Sequence, residues 1–197
     1  MIRVFVALIP PDEYKSALNS VIERFSEIFP TEIKWVDPAG IHLTLKFLGN
    51  IPNSDVPALS KCINYAIDRF SRGQFRLQLD RLGAFPNTSQ PKILWAGLQG
   101  DMEKLQLLQE SVESEIISAG FPAEQRSFNP HLTIGRIRRQ SDKQSITAIG
   151  RVLESQNFSV QCDWVVSTIH IVESVLKPTG AEYTSLETQD LSLNHDN

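Results

Sequence analysis

The chain has 197 residues, 41% of them hydrophobic and 21% charged, with a net charge of −4 and a pI near 5.6. That length suits one generous domain or two intimate lobes over a shared core. The acidic balance excludes a protein that grips a long duplex through many Lys and Arg contacts to phosphate, but leaves room for one that recognises only a nucleic-acid end. Ile2 to Ile9 reads as a buried strand, cut off by Pro10-Pro11, too short for a secretory leader and without a small-residue cleavage site. Pro10-Pro11 opens a helix whose Tyr14, Leu18, Val21, Ile22, Phe25 and Phe29 keep helical spacing, with Asp12 and Glu13 suiting its positive end. Strands follow at Ile33 to Val36 and Ile41 to Phe47, separated by the turn Asp37-Pro38-Ala39-Gly40.

A second helix runs from about Ser54 to Phe70. Strands Phe75 to Leu82 and Ile93 to Leu98 are joined by the loop from Gly83 to Pro91, and a long helix spans Asp101 to Ala119. After a strand around His131 come a short helix near Ser145 to Ser155 and strands around Ser159 to Val166 and Thr168 to Val175. Tyr183 to Leu186 adds an edge strand, and the tail from Asn194 reads as frayed. Hairpin-linked strands interspersed with helices predict an α+β fold: two mainly antiparallel sheets flanked by helices, in two lobes. No segment reaches the length of a membrane span. The two cysteines, Cys62 and Cys162, are isolated, which fits a reducing cytoplasm.

Two segments spell nearly the same thing: His42-Leu43-Thr44-Leu45 and, 89 residues on, His131-Leu132-Thr133-Ile134. Strand alternation puts His42 with Thr44 on one face and His131 with Thr133 on another, anchored by aliphatic residues behind. Two such strands facing one another give two imidazoles and two hydroxyls, a set able to work on a phosphate without a metal. The repeat implies a pseudo-twofold internal duplication with the site in the cleft between lobes. Catalytic zinc generally takes three protein ligands, and only two histidines converge here, so neither metal nor cofactor is expected.

With both segments in view, the chain resembles the two-histidine (2H) phosphoesterases, whose mark is a pair of His-x-Thr-x motifs. More narrowly it is similar to the bacterial and archaeal RNA 2′,3′-cyclic phosphodiesterases, historically called 2′-5′ RNA ligases. The opening strand Arg3 to Leu8, the stretches Ile41 to Gly49, Gly83 to Pro86 and Phe128 to Arg136, and the closing Glu173-Ser174, Pro178, Gly180 and Tyr183 carry the likeness. It implies one bilobal unit over residues 1–197, with a motif per lobe at 42–45 and 131–134. It also implies ring opening to a 2′-phosphate, with His42 as proton donor and His131 as proton acceptor, and weak reverse 2′-5′ ligation. The residues alone leave open which imidazole is acid and which is base. One must be neutral and the other protonated, so a bell-shaped pH profile is expected.

Thr44 and Thr133 are expected to donate to phosphate oxygens. Arg136 matches the family's phosphate-binding arginine, although strict alternation sets it opposite His131, so its role needs a twist or bulge near Gly135. Lys46 continues the His42 face on simple alternation and is taken as substrate-binding, as is Phe128, which could stack on a base; core packing is the competing duty for Phe128 and for Trp95. His170 lacks the Thr two residues on and reads as structural, and His195 as solvated. Arg126, Arg136, Arg138, Arg139 and Lys143 form a basic cluster, either a solvated loop or a landing strip for RNA. The expected partner is an RNA 3′ terminus or a small cyclic-phosphate nucleotide, met by a monomer without a membrane. The alternatives are a phosphodiesterase on a small nucleotide or ADP-ribose cyclic phosphate, and a non-catalytic module holding an RNA end.

Overall fold

The computed structural model describes residues 1–155, 162–178 and 180–191. In chain order the strands are β1 (Ile2–Leu8), β2 (Ile33–Trp35), β3 (Leu43–Ile51), β4 (Phe75–Phe85), β5 (Ile93–Gly100), β6 (Leu132–Ile137), β7 (Asp163–Val166), β8 (Thr168–Leu176) and β9 (Ala181–Asp190). The helices are α1 (Asp12–Ile28), α2 (Val56–Phe70), α3 (Met102–Ser118) and α4 (Lys143–Ser155). The strands form a four-stranded sheet in the order β3-β1-β8-β9 and a five-stranded sheet in the order β2-β6-β5-β4-β7. Every pairing is antiparallel. The α+β reading with two antiparallel sheets therefore holds.

Each sheet buries one face against helices. In β1, Val4, Val6 and Leu8 join the main hydrophobic cluster, which also takes Leu94 and Ala96 of β5 and Leu132 of β6. Phe5 and Ala7, on the other face of β1, form a small separate cluster with Val172 of β8. Helix α1 buries Tyr14, Leu18, Val21, Ile22 and Phe25. Its Tyr14 and Phe25 rings meet Trp164 of β7 and Trp35 of β2, so it covers the five-stranded sheet. Helices α2 and α3 pack on one another and against β9 and β3 respectively, covering the four-stranded sheet.

Three expected boundaries shift. Strand β4 does not stop at Leu82: after an irregularity between Leu79 and Leu82 its ladder with β5 continues to Phe85 opposite Ile93, so Gly83, Ala84 and Phe85 are strand and not loop. Strand β9 is ten residues long, because it pairs with β8 from Ala181 to Asp190 through backbone bonds. Its side chains are mostly exposed, so it lacks the apolar alternation by which a strand is recognised. Helix α4 begins two residues before Ser145, where the Asp142 carboxylate accepts the Ser145 N–H. The start of the strand expected from Ser159, the tail from Asn194 and His195 lie outside the described residues.

Candidate active site

Both motif histidines sit one residue ahead of their strands, His42 before β3 and His131 before β6. Each ring is turned back on the chain in the same way. His42 Nδ1 lies 2.7 Å from the Gly40 carbonyl oxygen, and His131 Nδ1 lies 2.6 Å from the Asn129 carbonyl oxygen. A carbonyl only accepts, so Nδ1 carries the hydrogen in both rings and Nε2 is left to take or give a proton.

Aromatic rings hold these imidazoles in place. Phe5 of β1 stacks on His42 at 4.5 Å between centroids, and Tyr183 of β9 meets the same ring edge-on at 4.8 Å. Tyr183 also presses on Gly40, where a Cβ would come within 3.2 Å of the phenol ring. Phe85 of β4 meets His131 edge-on at 4.9 Å. Burial pushes the His42 imidazole below its ordinary range; the Gly40 carbonyl pulls it back up and the charge of His131 lowers it further. Burial likewise lowers His131, opposed by the Asn129 carbonyl and aided by the Arg136 guanidinium. The two histidines come from different sheets, yet the charge of one bears on the other.

Strand register fixes which other side chains share their face. Thr44 pairs with Ala7, on the Phe5 face of β1, and Thr133 pairs with Trp95 of β5. Among the described residues neither threonine hydroxyl has a hydrogen-bond partner. Each ladder then skips a residue. Val6 and Ala7 pair with Lys46 and Thr44, leaving Leu45 unmatched, and Leu94 and Trp95 pair with Gly135 and Thr133, leaving Ile134 unmatched. Both omissions fall on the last residue of a His-x-Thr-x motif.

The second slip brings Arg136 opposite Ile93, two residues from Trp95, and so onto the Thr133 face. The bulge that Arg136 required is present, one residue before Gly135. The first slip has the reverse effect on Lys46 and corrects its assignment. Lys46 pairs with Val6 on the helix-covered face, is 3% exposed, and its Nζ reaches Glu113 of α3 at 2.8 Å and the Pro122 carbonyl at 2.7 Å. It does not continue the His42 face. Phe47 takes that side instead, with the Arg3 guanidinium 4.8 Å above its ring.

Phe128 packs half-buried against the main core, and the rings that touch the imidazoles are Phe5, Tyr183 and Phe85 instead. Trp95 shares the Thr133 face and lies across Gly83, where a Cβ would stand 2.3 Å from its indole. His170 pairs with Ala7, and the hydroxyls of Thr168, Ser185 and Thr188 hold its ring at 3.0–3.1 Å. The sequence alone does not mark Phe5 or the two carbonyls as site elements, although Phe5 lies in the opening stretch matched by resemblance; its place on the Ala7 face of β1, opposite Phe47, is a matter of register. Phe85 and Tyr183 stood in stretches already matched by resemblance. Among the described residues no three His, Cys, Asp or Glu side chains gather as a metal-ligand set.

The profile of the LigT like Phosphoesterase family matches residues 8–95 and 98–181. A protein of Archaeoglobus fulgidus named RNA 2′,3′-cyclic phosphodiesterase is 27% identical over 184 residues, covering 93% of this chain and 97% of its own. One of the same name from Aeropyrum pernix is 30% identical over 154 residues, 78% of this chain and 84% of its own. Among solved structures, a Thermus thermophilus protein superposes with a TM-score of 0.74 at 26% identity, over 98% of this chain and all of its own. Escherichia coli LigT complexed with 3′-AMP has the same fold, with a TM-score of 0.72 at 22% identity over 98% of this chain and 99% of its own.

Proposed function

The chain belongs to the LigT-like phosphoesterase family, and from that premise we propose that it hydrolyses the 2′,3′-cyclic phosphate at an RNA 3′ end to a 2′-phosphate. The observation that carries this reading is the matched pair of Nδ1–carbonyl bonds, which leaves two imidazole Nε2 atoms available for proton transfer. The names of the Archaeoglobus and Aeropyrum relatives support the substrate.

In the proposed reaction His131 takes a proton from water as its oxygen attacks phosphorus. The bond from phosphorus to O3′ breaks, and His42 gives its proton to the departing O3′. The enzyme finishes with His131 protonated and His42 neutral, and exchange with solvent restores the starting state. The Arg136 charge, which favours the neutral form of His131, suits the base. Thr44, Thr133 and Arg136 would hold the non-bridging oxygens as negative charge builds on them. With a 5′-hydroxyl in place of water as the nucleophile, the same steps run in the direction of a 2′-5′ linkage. Water at ~55 M keeps that direction weak.

One chain supplies both histidines, so residues 1–197 act as a single bilobal unit and a monomer suffices. The test is incubation with a cyclic-ended oligonucleotide in EDTA, with identification of the phosphate isomer formed. A 2′-phosphate formed at an undiminished rate is expected. A 3′-phosphate product would reverse the leaving group, and activity lost to EDTA and regained with added zinc or manganese would overturn the two-histidine reading.

A further inference from the structure

Next to Arg136, the segment leading into β5, the end of β6 and the first turns of α4 enclose a groove of about 980 Å³. Its walls carry Lys92, Arg136, Arg138, Arg139 and Lys143 and no acidic side chain. Among the described residues none of these five cations has a carboxylate partner. Lys34, opposite Arg136 in the β2–β6 ladder, adds a sixth cation on the same face, also without a carboxylate partner among the described residues. Like charges repel, so this concentration of unpaired cations in a chain of net charge −4 opposes folding unless an anion joins it.

The rest of the lining decides what kind of anion. It is aliphatic or small and polar, including Ile93, Ile137 and Ile146, with no aromatic ring. Such walls offer charge to phosphates and apolar surface to riboses, but no aromatic platform for a base. The groove is also held open in advance. The Thr88 carbonyl oxygen lies where a Cβ on Gly150 would be, 2.0 Å away, so the absence of a side chain there lets the loop before β5 seat on α4. The Thr88 hydroxyl donates to Glu154 of the same helix.

Arg136 and Ile93 belong to both places: they line the groove, and they share the sheet face of Thr133 and Trp95. We propose that this groove holds the sugar–phosphate backbone of the nucleotides preceding the cyclic end, as a single strand, reading charge and not sequence. The proposal rests on the reading of the site as a cyclic-phosphate hydrolase. It makes the preferred substrate an oligonucleotide and not a free cyclic nucleotide.

The experiment compares kcat/KM for a cyclic mononucleotide and a cyclic-ended pentanucleotide in the parent protein and in an Arg138→Ala/Arg139→Ala variant. Anisotropy binding of a labelled single-stranded RNA ending in a 2′-phosphate runs beside it. The pentanucleotide should be favoured by roughly tenfold or more, with an advantage that falls with salt by about 0.7 in logarithmic slope for each phosphate contacted. The double variant should lose most of that advantage and of the binding, and oligonucleotides of different sequence should behave alike. Equal kcat/KM for both lengths in the parent would overturn the groove and leave the hydrolase standing. Turnover of neither substrate, with RNA binding that still depends on Arg138 and Arg139, would uphold the groove and remove the hydrolase. No RNA binding, or equal displacement by an oligoglutamate of matching charge, would overturn the groove.

Discussion

His42 and His131 are each fixed by one backbone acceptor and at least one aromatic ring, so both present Nε2 without freedom to exchange tautomers. On the proposed mechanism, replacing either by Ala removes a proton-transfer group and should lower kcat by on the order of 10²–10⁴. Circular dichroism and thermal melts should show both variants folded, since neither ring belongs to the main cluster. Turnover close to that of the parent in either folded variant would remove that histidine from the mechanism. A second expectation concerns pH. Both imidazoles are pushed below the ordinary value of ~6.5, chiefly by burial. The profile of kcat/KM reports the free enzyme, so its bell should centre below about pH 6.5. A centre above neutrality would mean that the groups seen in catalysis are not these two.

At the scale of elements, two skipped residues decide which side chains face the candidate site and which enter the core. Lys46 gives the sharpest test, since its buried ammonium is matched to Glu113 of α3. Glu113→Ala strands that charge and should cost about 3–5 kcal/mol, whereas Lys46→Met should be far milder, because the aliphatic stem is kept and the Glu113 carboxylate is less buried. Denaturant melts measure both, and kcat per folded molecule should be unchanged in Lys46→Met. A large loss of kcat there would return Lys46 to the substrate site. The same slips explain what could be read from sequence. Strong helical spacing disclosed α1, from Tyr14 to Phe25, and the repeated His-x-Thr-x disclosed both histidines and both threonines. Alternation misassigned Lys46 because a bulge leaves no mark in the order of residues. It found only Tyr183 to Leu186 of β9, because an exposed edge strand needs no apolar period. Phe5 belongs to the site only through pairing with a strand some forty positions away.

On the scale of the whole molecule, three histidines from different strands are held in the same sense. His42, His131 and His170 all fall below the ordinary imidazole value, with burial the largest cause in each. The sign follows from linkage. Between the depressed folded values and ~6.5 the unfolded chain binds more protons, so their contribution to stability is whole above ~6.5 and is lost as pH falls toward the folded values. The melting temperature should therefore hold above that pH and decline below it, before the carboxylates of Asp101 and Asp142 begin to titrate. A His170→Asn variant should decline less steeply over that window, and an identical slope would show that His170 does not contribute.

The unmatched Leu45 and Ile134 make the molecule tolerant, at two positions, of a kind of change that substitution scans never sample. Both are ordinary buried aliphatics, and Leu45→Ile or Ile134→Leu should pass almost unnoticed. Deletion of a paired residue would turn all that follows to the opposite face, but Leu45 and Ile134 are each the extra residue of a bulge, so their loss leaves a regular ladder short of one buried side chain. Loss of the single codon for Ile134 would place Gly135 directly after Thr133, still opposite Leu94, and keep Arg136 opposite Ile93 on the Thr133 face. Loss of the codon for Leu45 would likewise keep Lys46 opposite Val6, within reach of Glu113, and Phe47 opposite Phe5. An in-frame deletion library read out by soluble yield should show these two codons as less costly to remove than their paired neighbours in β3 and β6, and equal cost at every position of each strand would mean that the bulges do not set the register.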